Sequence, residues 1–172
     1  RGLGDVYKRQ VYTVLSDIQQ KGKKKMPLYF VIIVAIVILD QTVKHLIVGS
    51  IKLNTNISVV DGILSLAHIR NYGAAWSMLL GQIWFFVIIS IVSLAVMAFF
   101  FWKFRNRPLY LTGLSLMIGG TIGNFIDRLR LGYVVDMFQL DFINFPIFNV
   151  ADCALTIGVA VILIAMLKDD EL

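Results

Sequence analysis

The chain has 172 residues, 58% of them hydrophobic and 16% charged, with a mean hydropathy of +0.79. Soluble domains are about 45–50% apolar and about 25% charged, so a chain this short has too little interior to hide the excess, and lipid is the implied solvent. The same numbers argue against a disordered chain, a nucleic-acid-binding module and a secreted disulfide scaffold, since Cys153 is the single cysteine and the net charge of +5 belongs to a membrane surface once its sources are located.

One domain is expected at this length. Residues 1–27 are expected to form an N-terminal cytoplasmic segment, non-native in part, because the chain opens on Arg1 and shows no structural pattern as far as Gln20. A spanning helix needs roughly 20 mostly apolar residues. Four segments qualify: about 28–48, 83–102, 109–126 (after Pro108, a favoured first-turn residue) and 151–167. Together they make a single four-span domain over 28–167, with loops at 49–82 and 128–150 and a tail at 168–172. No small-residue cleavage site follows the first apolar run, so it does not read as a removable signal peptide.

Basic residues set the orientation. Arg1, Lys8, Arg9, Lys21, Lys23, Lys24 and Lys25 precede the first span, Lys103, Arg105 and Arg107 fill the short connection between spans two and three, and Lys168 follows the fourth. Lys44, Lys52, Arg70, Arg128 and Arg130 lie on or toward the other side. Both termini are therefore expected in the cytoplasm.

In the first outside loop, Ile57–Val60, Asp61-Gly62 and Ile63–Ile69 predict a β-hairpin with a favoured Asp-Gly turn. Ala74–Leu80 predicts a short interfacial helix. The second outside loop carries Val134-Val135-Asp136-Met137-Phe138 and the rigid Pro146.

Ionisable groups within spans are costly and mark function. With the spans folded up and down, the unusual charge gathers at the outer leaflet: Asp40 and Lys44 on span one, Asn124, Asp127 and Arg128 at the end of span three, Asn149 and Asp152 at the start of span four, and Asp136 in the loop between. Asp40 and Lys44 are spaced to share a helix face, either as a structural ion pair or as part of a site. Asp127 could close a helix end with Arg128 or act in the site, and Asn149 or Asp152 could cap the last helix. Asp136 lies in an apolar stretch where a lone carboxylate is poorly solvated. Two carboxylates meeting there would share a proton, the arrangement that deprotonates a water with one oxygen and protonates a leaving amine with another.

Other chemistries have less support. No zinc-binding His-Glu-x-x-His, no Gly-x-Ser-x-Gly elbow and no phosphate-binding glycine loop occurs; His45 and His68 are isolated and read as surface or interfacial residues. A serine–lysine dyad on Lys44 stays open, with no serine singled out. Gly113, Gly119, Gly120 and Gly123 read as close helix-packing positions, Cys153 as a small packing residue, and Trp76, Trp84 and Trp102 as an interfacial belt. A proton or ion conduit would need polar groups through the whole thickness, and a non-enzymatic membrane scaffold would use the acids for stability alone.

Five motifs, in this order, resemble the lipoprotein signal peptidases (signal peptidase II), the bacterial membrane aspartyl proteases: Asp40-Gln-Thr-Val-Lys44, Arg70-Asn-Tyr-Gly-Ala-Ala-Trp-Ser77, Gly119-Gly-Thr-Ile-Gly-Asn-Phe-Ile-Asp-Arg128, Gly132-Tyr-Val-Val-Asp-Met-Phe138 and Phe145-Pro-Ile-Phe-Asn-Val-Ala-Asp152. The family often has Ser or Thr where this chain has Val43. The resemblance implies a bundle of four transmembrane helices with a small extracytoplasmic β-cradle and a short interfacial helix. It implies catalysis by Asp136 and Asp152, substrate binding or support by Asn71, Gly73, Asn124, Asp127, Arg128 and Asn149, and Asp40 and Lys44 as residues that hold the first helix. It further implies a bacterial cell-membrane monomer with no cofactor and no metal. Its partners would be diacylglyceryl-modified prolipoproteins, cleaved just before the lipidated cysteine, together with membrane lipids and globomycin-type inhibitors.

Overall fold

A computed structural model of the chain describes residues 3–73, 79 and 81–170. Its order is α1 (Leu3–Ser50), β1 (Asn56–Val60), β2 (Leu64–Asn71), α2 (Ile83–Lys103), α3 (Pro108–Leu131), β3 (Val134–Leu140) and α4 (Val150–Asp170). Four stretches of these helices are long and apolar enough to cross a membrane: Met26–Ser50, Ile83–Lys103, Pro108–Leu131 and Val150–Asp169. Their outward faces are largely apolar and exposed, as lipid solvent requires.

α3 is the central helix and touches each of the other three. Glycines make that possible. A Cβ on Gly120 would lie 2.4 Å from the Ala151 carbonyl oxygen of α4, and one on Gly123 would lie 2.5 Å from the Asp40 carboxylate of α1. Small residues let backbones approach where lipid offers no hydrophobic drive for helix association. At the opposite end of the bundle, Tyr29, Met97, Phe101, Leu111 and Leu114 form a buried cluster, and Arg107 pairs with Asp169 at 2.7 Å. Trp84 and Trp102, both exposed, mark the two ends of α2.

The structure departs from the sequence expectations at several points. α1 runs unbroken from Leu3 through Pro27, so residues 3–20 continue the spanning helix where no pattern was expected; once a helix is nucleated, each added residue needs to make only one further bond. α3 extends five residues past Ile126, carrying Asp127 and Arg128 inside the helix, and ends on Gly132, whose φ of +76° gives the left-handed cap that turns the chain into β3. The predicted hairpin is present, with Gly62 at φ +72°. Val134–Leu140 adds an unexpected third antiparallel strand beside β2, in the order β1-β2-β3. Of the predicted interfacial helix, residues 74–78 and 80 lie outside the described residues.

Candidate active site

The sheet brings the first pieces together. β2 pairs with β3 through Leu66↔Phe138 and Ile69↔Asp136, three residues of β2 spanning two of β3, so a bulge lies between. The extra residue shifts the side-chain alternation and turns Asn71 to the face that carries Asp136. Asn71 is then the diagonal neighbour of Asp136, and its amide donates to Asp136 Oδ2 at 2.9 Å. The Asn71 side-chain oxygen Oδ1 accepts the Gly73 N–H at 2.9 Å, which fixes the amide's orientation.

The segment before α4 is clipped to the same strand. Phe138 and Phe148 exchange backbone hydrogen bonds of 2.8 and 3.1 Å, which sets Asn149 beside Asp136. Asn149 is the N-cap of α4 and Asp152 its third residue. Asp152 N–H donates to Asn149 Oδ1 at 3.0 Å, and Asn149 N–H donates to Asp152 Oδ2 at 3.1 Å, a reciprocal capping box. The Asn149 side-chain amide also donates to Asp136 Oδ1 at 2.7 Å. One asparagine therefore holds both carboxylates, and Asn124 of α3 adds a bond to Asp152 Oδ1 at 2.8 Å.

Behind them lies a buried charge cluster. Lys44 Nζ reaches Asp40 Oδ2 at 2.8 Å, Asp127 Oδ2 at 2.9 Å and Asn124 Oδ1 at 2.9 Å, so its three protons have three acceptors. Asp40 Oδ1 accepts the Ala151 N–H at 3.0 Å, and Asp127 Oδ2 accepts the Val135 N–H at 3.2 Å. The expected Asp40–Lys44 pair is thus present. Asp127 pairs with Lys44 and not with Arg128, whose guanidinium lies 4.9 Å over the Phe86 ring; the helix turn that aims Asp127 at α1 points Arg128 toward α2.

Asp136 and Asp152 line one cavity of about 520 Å³ together with Asn71, Gly73, Asn124, Arg128 and Asn149. Its far wall is apolar, from Val134, Leu140, Phe145, Pro146, Phe148 and Ile157. Burial pushes the Asp136 carboxyl up to about 7; the neighbouring Asp152 charge acts in the same direction, while the Asn71 and Asn149 amides and the Lys44 charge oppose both. Among the described residues, no cluster of His, Cys, Asp and Glu has the arrangement of a metal site.

All ten residues singled out from the sequence lie at this end of the bundle: Asp136, Asp152, Asn71, Gly73, Asn124, Arg128 and Asn149 on the cavity, and Asp40, Lys44 and Asp127 behind it. Gln41 was not singled out, yet its Nε2 lies 2.9 Å from Asp127 Oδ1 and 3.2 Å from the Gly123 carbonyl oxygen. Its place between Asp40 and Lys44 in the first motif was the available signal. His68, expected at the surface, is buried: its Nδ1 lies 2.8 Å from the Ile51 carbonyl oxygen, because β2 folds back over the end of α1.

The signal peptidase (SPase) II family model matches residues 32–168. The lipoprotein signal peptidase of Lactiplantibacillus plantarum is 58% identical over 146 residues, covering 85% of this chain and 98% of the relative. That of Lactococcus lactis subsp. lactis is 48% identical over 147 residues, covering 86% and 98%. Two bacterial membrane enzyme structures obtained by the in meso method are each 40% identical, with TM-scores of 0.80 and 0.78, and cover 84% of this chain and 90% and 95% of their own. The matched region overlaps all four spans and includes every residue of the acid cluster, and on that footing the chain belongs to the signal peptidase II family.

Proposed function

We propose that this lipoprotein signal peptidase cleaves diacylglyceryl-modified prolipoproteins just before the lipidated cysteine, using Asp136 and Asp152 as an acid–base pair. The observation that carries this reading is the double hold of Asn149, which bonds Asp136 through its amide and Asp152 through its backbone on the wall of one cavity. The pair enters the reaction with one shared proton. The ionised oxygen takes a proton from a water, whose oxygen attacks the scissile carbonyl carbon, and the protonated carboxyl polarises that carbonyl. Collapse of the tetrahedral intermediate breaks the C–N bond as a carboxyl passes its proton to the leaving amine. The apolar wall from Phe145 to Phe148 and Ile157 suits acyl chains beside the scissile bond.

Both termini are assigned to the cytoplasm and the site to the outer leaflet, on the strength of Lys103, Arg105 and Arg107 in the short α2–α3 connection. One chain supplies both carboxylates, which suits a monomer, and globomycin-type cyclic peptides would compete for the cavity. The gathering of buried Asp40, Lys44, Asn124, Asp127, Asp136 and Asn149 at one end supports a peptidase over an ion conduit.

The test is a gel-shift assay on purified protein with a diacylglyceryl-modified prolipoprotein, comparing wild type, Asp136→Asn and Asp152→Asn, with thermal melting of all three. Asparagine keeps one of the two acceptor oxygens that each carboxyl uses, and the melting curves report whether both variants fold. Cleavage by wild type alone is expected. A folded wild type that leaves the substrate intact, or cutting by both variants, would overturn the dyad.

A further inference from the structure

A second cavity, of about 550 Å³, opens between α1, the last turn of α3 and the start of β3. It shares no lining residue with the catalytic cavity. Lys44 and Asp127 form its inner wall, and their polar atoms are engaged with each other, with Gln41 and with the Val135 N–H. Its rim is basic. Arg130 and His45 are exposed, and among the described residues no carboxylate lies within ion-pair distance of either. Arg70 adds a third basic group, its guanidinium 4.7 Å over the ring of Tyr133, which lines the cavity.

An apolar stripe leads into this rim from the hydrocarbon. Val31, Val34 and Ile38 are exposed, and their spacing puts them on the face of α1 that carries Thr42 and His45. Arginine at the end of a spanning helix reaches toward the headgroup layer, where its planar donors match phosphate oxygens. The buried cluster carries two carboxylates against one ammonium, which disfavours a dianion and leaves a phosphodiester monoanion as the better occupant.

We propose that this cavity holds the headgroup phosphate of an anionic phospholipid, whose acyl chain lies along Val31, Val34 and Ile38. The site is separate from the catalytic cavity, and its occupancy does not depend on the acid–base pair.

The test uses the full chain in detergent, stripped of lipid and titrated with palmitoyl-oleoyl phosphatidylglycerol or phosphatidylcholine, with bound lipid counted by native mass spectrometry. Phosphatidylglycerol should be retained in preference to phosphatidylcholine, and millimolar inorganic phosphate should not displace it. Arg130→Gln should weaken retention about fivefold, as expected for one basic group at a lipid surface, while Arg130→Lys, which keeps the charge but not the planar donors, falls between the two. Arg105→Gln, at the opposite end of the bundle, should change nothing. If thermal melting shows that Arg130→Gln is unfolded, His45→Gln is read in its place. Equal retention of phosphatidylcholine, unchanged affinity in Arg130→Gln or equal loss in Arg105→Gln would overturn the proposal. Displacement by inorganic phosphate would assign the site to the free ion instead.

Discussion

Asp40 of α1 accepts the backbone N–H of Ala151 at 3.0 Å, one residue before Asp152. A side chain from the first helix therefore satisfies one of the free N–H groups that open the fourth, and it does so at a fully buried position. Asp40→Ala should cost about 1–3 kcal/mol for the orphaned N–H alone, before the lost Lys44 partner is counted. Asp40→Asn keeps the acceptor and should melt between that variant and wild type. Thermal melting in detergent, read beside cleavage rate, checks both.

Lys44 is the shared counter-ion of Asp40 and Asp127, and it steadies Asp152 through Asn124 and the β3 backbone through Asp127. Lys44→Met leaves two buried carboxylates without a counter-ion. The expected loss is about 3–5 kcal/mol, measured as a lower melting temperature, with cleavage falling in the fraction that remains folded.

The raised pKa of Asp136 makes both stability and rate depend on pH. Its carboxyl titrates near 3.8 when unfolded and at about 7 in the folded chain, so the folded state binds the proton more tightly. The stability this contributes is fully present below the unfolded value and is lost as pH rises through about 7. Asp136→Asn removes the effect, so melting curves of the two proteins should diverge on the alkaline side, with the variant the more stable. Cleavage by wild type should decline above about 7 as the pair loses its shared proton, and Asp136→Asn should lower the rate by about 10²–10⁴-fold at any pH.

Gly120→Ala tests the approach of α3 to α4. The added Cβ would meet the Ala151 carbonyl oxygen at 2.4 Å, a backbone atom that can give way only if the helices part. A loss of about 1–3 kcal/mol is expected from the forced shift. Because Ala151 adjoins Asp152, activity should fall further than stability, which a comparison of turnover with melting temperature would reveal.

The spans were legible because a run of apolar residues long enough to cross lipid has few other uses, and the acid cluster was legible because charge on such runs is costly. The hairpin followed from its Asp-Gly turn. β3 did not, since Asp136 interrupts the apolar pattern of Val134–Leu140 and its pairing partner lies some seventy residues back along the chain. The contact between Asn71 and Asp136 depends on a bulge in β2, a one-residue irregularity with no local composition signal. The choice of Lys44 over Arg128 as partner of Asp127 depends on which neighbour each face of α3 meets, a matter of packing that spacing along one helix cannot settle.

Every polar atom of Asn149 is in use: its N–H and carbonyl oxygen Oδ1 with Asp152, its amide with Asp136 and Asn124, and its backbone carbonyl with the Cys153 N–H. Such a residue has no neutral replacement, for any change that alters the grip on one aspartate also loosens the other or unwinds the start of α4. A compound that gains its affinity from the two carboxylates and the groups clasping them would thus leave a bacterium few single-codon escapes at the centre of the site. Resistance would have to arise on the apolar wall from Phe145 to Phe148, where side chains can change shape without disturbing the acids.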